Sequence, residues 1–150
     1  MIRVHFTAEA PETVIERARE ALSRVVERVE SWPPESEWEQ MLPAWFIERC
    51  APEPTPDPDF DSAYWLARWR GLSPAEKAAA AAGPWTLSNW LYYFDPTDEG
   101  QGDDRSWWWW NAGTDDAHAG WIDVATTGWP FGTGSLYWLI EASGGSDPRY

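Results

Sequence analysis

The sequence predicts an α+β fold in which several aromatic-rich helices pack on a small antiparallel sheet. Three observations carry that prediction. Residues 10–30 show apolar side chains at helical spacing, residues 106–112 and 121–127 read as two strands flanking a Gly-containing loop, and the chain has 14 tryptophans to fill a core. At 150 residues the whole chain, 1–150, is the length of one domain and can bury a core without a metal or disulfide staple. The alternative organisation is an N-terminal strand–helix arm over 1–50, a Pro-rich linker over 51–59 and a Trp-rich portion over 60–150.

In chain order, Ile2–Phe6 alternates apolar and polar residues and predicts a short strand. Pro11 suits the first turn of a helix in which Val14, Ala18, Leu22, Val25 and Val29 share a stripe with Ile15 and Val26, opposite the pair Glu20 and Arg24. A second helix follows over 36–50, with Ser36 and Glu39 as a capping pair and Pro43 forcing a kink or a division into two. Alternating prolines in APEPTPDPD predict an extended strap, either between two parts or across one. Tyr64, Trp65, Leu66 and Trp69 make the next helix aromatic, from Ser62 to Gly71. Ser73, Pro74 and Glu76 then mark a helix start, with Gly83 after the alanine run as its end. Leu87, Trp90, Leu91 and Phe94 repeat at helical spacing, with a strand as the alternative over 87–94. For 135–143 helix is preferred over strand, with Gly144 as terminator.

The stretch RSWWWWNAG, 105–113, raises the functional question. On a regular strand Trp108 and Trp110 share one face with Ser106 and Ala112, while Trp107 and Trp109 share the other with Arg105 and Asn111. The second face is bounded by long polar groups, so it is expected outside. Pairing with the following strand adds Trp121 and Asp123, with Ile122 and Val124 inward. The predicted binding surface is therefore Arg105, Trp107, Trp109, Asn111, Trp121 and Asp123. Covering by the aromatic helices, as a second core layer, is the competing expectation.

A net charge of −14 argues against direct contact with nucleic acid phosphate or an anionic membrane, and permits a basic protein partner or mimicry of nucleic acid charge. Self-association through the tryptophan face would satisfy the same argument. The first residues carry no secretory pattern and Cys50 is the only cysteine, so a cytoplasmic protein is expected. No nucleophile elbow, phosphate loop or metal-ligand spacing is present, and Lys77 is the only lysine. Asp95–Ser106 has carboxylates at calcium-loop spacing but places Ser106 where the bidentate acid belongs. Asp115, Asp116 and His118 form a poor metal set, and Asp123 with Glu141 would be a glycosidase pair only if both lay on strands. No cofactor or metal is expected. The reading is a non-catalytic protein-binding module, of the acidic inhibitor or immunity type. The alternative is a small-ligand or carbohydrate-binding protein, even an enzyme, using the same aromatic surface.

Overall fold

The computed structural model describes residues 1–54, 58–81, 83–97, 107–128 and 132–150. Its sheet has the order β2-β3-β1-β4, every neighbouring pair antiparallel. Here β1 is Ile2–Thr7, β2 Trp107–Asp116, β3 Ala119–Thr126 and β4 Ser146–Arg149. The N-terminal strand is thus central, and its neighbours all come from beyond residue 106. Strand β4 has no counterpart in the sequence expectations. The helices are α1 (Pro11–Val26), α2 (Trp38–Met41), α3 (Ala44–Arg49), α4 (Ser62–Arg70), α5 (Pro74–Ala81), α6 (Leu87–Tyr92) and α7 (Gly134–Ala142), with a 3-10 turn at Glu35–Glu37 before α2.

Helix α1 buries Val14, Ile15, Ala18, Ala21, Leu22 and Val25 against α7, β2 and β3. It stops four residues short of the predicted end at 30, so Val26 is exposed and Val29 lies past the last turn. Pro43 does divide the second helical region, giving α2 and α3, because its ring excludes the residue before it from helical geometry. Ser36 does not cap α2. It lies within the 3-10 turn, and no side chain caps that helix. The Ser73 cap is formed as expected: Glu76 N donates to Ser73 Oγ at 3.1 Å and Ser73 N donates to Glu76 Oε1 at 3.2 Å. Residues 87–92 and 134–142 are helical, which resolves both ambiguous segments. Gly144, at φ 107°, ends α7 with Gly145 N bonded to the Ile140 carbonyl at 2.9 Å, a turn a side chain at that φ would resist.

Part of the Pro-rich strap lies on the fold. Ala51 N donates to the Trp85 carbonyl at 2.9 Å, and the Glu53 carboxylate accepts from Ser88 N at 3.0 Å and Ser88 Oγ at 2.7 Å. Residues 55–57 lie outside the described part.

The core joins the inner sheet face to α1, α3, α6 and α7. A run of rings crosses it: Phe46 to Trp90 at 4.8 Å, Trp90 to Phe94 at 4.7 Å, and Phe94 edge-on to Trp107 at 6.3 Å. A buried indole N–H left without an acceptor is costly. Ser135 supplies two, its carbonyl to Trp90 Nε1 at 3.0 Å and its hydroxyl to Trp107 Nε1 at 2.9 Å.

Candidate functional site

The four consecutive tryptophans divide between the two sheet faces, but in the opposite sense to the alternation read from the sequence. Trp107 is fully buried and Trp109 half-buried, whereas Trp108 and Trp110 are 38% and 68% exposed. Trp107, Trp108 and Trp109 pair with Thr126, Ala125 and Val124, and the register then slips so that Asn111 opposes Asp123. Trp110 is the extra residue of this bulge. A bulge breaks the period of two, so residues on either side of it no longer alternate as on a regular strand. Asn111 is therefore outside, as predicted, while Trp107 and Trp109, assigned to its face, point inward. Trp109 sits at the margin of α1 with the Arg19 guanidinium 5.5 Å from its ring. Arg105 lies outside the described residues.

Trp121 and Asp123 stand on the outer face as expected, and two residues of β1 that the sequence reading did not include join them. Arg3 pairs across the ladder with Asp123, and His5 with Trp121. Arg3 Nε and Nη2 donate to the two Asp123 carboxylate oxygens at 2.7 and 3.0 Å, and the guanidinium stacks 3.8 Å from the centre of the Trp121 ring. Gly113, opposite Trp121, is what lets this ring lie down on the sheet: a Cβ there would stand 2.6 Å from the indole. His5 Nδ1 is 3.6 Å from Asp115. The strand period could have placed Arg3 and His5 on this face, but nothing local to β1 says which strand it adjoins.

The Arg3 hydrogen bonds favour the ionised Asp123 and hold its carboxyl below the usual carboxylate range. A folded value below the unfolded one means that the stabilisation is present above the unfolded value and is lost as pH falls through the folded one. Arg3→Gln is expected to raise the Asp123 midpoint in a carbon-detected NMR titration. An unchanged midpoint would mean that the pair does not form in solution. Because the pair is part-exposed, its effect on stability is expected to be small.

Two further surfaces carry exposed aromatics. Helix α4 is capped by Asp61, whose side chain accepts from Ala63 N and Tyr64 N, yet it has no buried residue. Phe60, Tyr64, Trp65 and Leu66 are all exposed, and Trp65 stacks on Trp69 at 5.7 Å. The aromatic helices that form the core do not include α4, which buries none of its residues. Its apolar residues at 64, 65 and 66 are consecutive and span too wide an arc for one buried stripe, a signal visible in the sequence. Trp65→Ala is accordingly expected to change stability by no more than about 0.5 kcal/mol in chemical denaturation. A loss of several times that amount would mean that α4 is packed.

The second surface is a cleft of about 520 Å³ between the turn at 32–38 and α6, with Trp32, Trp38 and Tyr92 among its walls. Trp32 and Trp38 meet with ring centroids 4.7 Å apart. Trp38 is 1% exposed, and neither its Nε1–H nor that of buried Trp138 has an acceptor among the described residues. An unpaired buried donor costs about 1–3 kcal/mol relative to a paired one.

The remaining motifs resolve into local structure. Asp95 Oδ1 accepts from Thr97 N at 2.8 Å and Thr97 Oγ1 at 2.6 Å, closing a turn, while residues 98–106 of the calcium-like stretch lie outside the described part. Asp116 Oδ1 accepts from His118 N at 2.8 Å in the β2–β3 turn. Among the described residues no group of three metal-ligating side chains converges. Glu141 is on helix α7 and so shares no sheet face with Asp123, which is already engaged by Arg3. Burial, with Glu53 nearby, pushes the Cys50 thiol up to about 11, the opposite of what a nucleophile needs. No helix among the described residues is long and apolar enough to cross a membrane.

These elements define an α+β protein with one aromatic core and an outer sheet face bearing Trp108, Trp110, Asn111, Trp121, Asp123 and Arg3. No protein-family model, curated protein or solved structure matches the chain.

Proposed function

We propose that this chain is a non-catalytic, intracellular protein-binding module of the acidic inhibitor or immunity type. Its contact surface is the outer face of the sheet and its partner is a basic protein. The observation that carries the reading is the exposure of Trp108 and Trp110 beside Asn111, Trp121, Asp123 and Arg3. Tryptophan and arginine dominate binding hot spots, and the Arg3–Asp123–Trp121 assembly holds part of this surface in one arrangement before a partner arrives. A net charge of −14 steers a basic partner and opposes a second copy of the same chain.

The test compares wild type with Trp108→Ala/Trp110→Ala as bait in lysate of the native cells, at low and moderate salt. The fold of the variant is checked by circular dichroism. A basic protein held by wild type, released by salt and bound at least about tenfold more weakly by the variant is the expected result. Equal capture by both baits would remove the outer face from the interaction. Concentration-dependent dimerisation abolished by the same substitutions would replace the basic partner with self-association. The small-ligand reading is favoured by one separate observation, the aromatic cleft at Trp32.

A further inference from the structure

We propose that helix α4 docks against the α4 of a second copy of this chain, the two helices lying antiparallel across a two-fold axis. This contact is separate from the outer sheet face and from the basic partner proposed for it.

Helix α4 is formed and capped, yet it buries none of its nine residues. So short a helix is only marginally held in water by its own hydrogen bonds, and packing of an apolar face supplies most helical stability in proteins. Such a face is present. Asp61, Trp65, Arg68 and Leu72 follow one another at spacings of four, three and four residues, which sets them on one stripe with Trp69 beside it. Trp65, Arg68, Trp69 and Leu72 line one groove, and the two indoles in it stack at 5.7 Å with their planes 13° apart. Trp65 is 50% exposed. Arg70, nine residues from Asp61, falls on the opposite side of the helix.

The charges on the stripe say what fits it. It is acidic at its start, at Asp61, and basic two turns later, at Arg68, about 10 Å further along the axis. A copy laid antiparallel brings the partner's Arg68 to Asp61 and the partner's Asp61 to Arg68, with the two Trp65 rings between them. A parallel copy would set like charges side by side. Asp61 Oδ1 accepts from Ala63 N and Tyr64 N, and the carboxylate has a second oxygen with which to receive a guanidinium. The net charge of −14 repels a second copy as a whole. Over residues 59–72, however, Asp59 and Asp61 cancel Arg68 and Arg70, so the surfaces that meet are locally neutral. A helix of nine residues offers a small interface, well under the area of a tight complex, so the dimer is a weak one.

Sedimentation equilibrium of the intact chain at about 0.1 M and about 0.5 M salt tests this. A monomer–dimer equilibrium with a dissociation constant of about 0.1 mM is expected. It should be several-fold tighter at the higher salt, where screening relieves the repulsion between the two net charges. Trp65→Ala/Trp69→Ala should abolish the dimer, since alanine favours the helix while removing its apolar face. Arg68→Glu should weaken the dimer at least about tenfold more than Arg70→Glu, which changes the net charge equally on the opposite side of the helix. A monomer up to about 1 mM at both salts would overturn the proposal and assign the α4 face to a different molecule. A dimer that survives Trp65→Ala/Trp69→Ala, or equal effects of the two arginine substitutions, would overturn it by placing the contact elsewhere. None of these residues lies on the outer sheet face, so capture of a basic protein by the Trp65→Ala/Trp69→Ala bait keeps the fate of the protein-binding reading distinct.

Discussion

Trp107→Ala is expected to destabilise the protein by about 3–5 kcal/mol, the range for deleting a large aromatic from a packed core. For a chain of this size that is a fall of roughly 10 °C or more in Tm. Trp107 is fully buried, meets Phe94 edge-on, and donates to the Ser135 hydroxyl. Removing it opens a cavity in the run of rings that joins α3 and α6 to the sheet. Ser135→Ala keeps the ring but strands its N–H, and a smaller loss of about 1–3 kcal/mol is expected. Trp110→Ala, three residues along the same sequence motif, should fall within about 0.5 kcal/mol because the side chain is mostly in solvent. Urea unfolding of the three variants checks the order. Equal losses for Trp107→Ala and Trp110→Ala would mean that the division of the tryptophans is wrong.

Gly120→Val is expected to cost about 3 kcal/mol by overpacking. Gly120 pairs across the ladder with Phe6, and a Cβ there would stand 2.5 Å from the Phe6 ring. Phe6 is 1% exposed and wedged in the core, so its ring has nowhere to go. Gly113 bears the same relation to Trp121 on the other face, at 2.6 Å. There the ring is only half-buried and can lift away. Gly113→Val should therefore cost clearly less than Gly120→Val, while freeing Trp121 from Arg3. Thermal unfolding of the two variants measures the difference, and a larger loss at Gly113 would contradict it.

The helices were legible where a local rule determines them. The Ser73–Glu76 capping pair and the Pro43 break each involve residues a few positions apart, and both form. The pairing of the two strands after residue 106 was legible too, from their composition and the short polar turn between them. The faces of the tryptophan strand were not. Their assignment took Asn111 as a marker for the side of Trp107 and Trp109, which holds only if the strand alternates without interruption. The bulge at Trp110 is a property of the pairing with β3, not of the strand alone. The acceptor that permits Trp107 to be buried, Ser135, is 28 residues away on α7, and no local pattern connects them. The outer face likewise draws Arg3 and His5 from the far end of the chain, because β1 inserts between β3 and β4. Three of the predicted surface residues, Asn111, Trp121 and Asp123, keep their place because they follow the bulge or lie on the regular partner strand.

The protein-binding reading rests on which tryptophans face outward, so the most direct measurement is hydrogen exchange at the individual indole N–H groups by NMR. Buried and hydrogen-bonded Trp107 should be strongly protected and Trp110 should exchange at nearly the free rate. Protection of Trp110 together with rapid exchange at Trp107 would contradict the account, restore the uninterrupted alternation, and leave the proposed binding surface without its anchors.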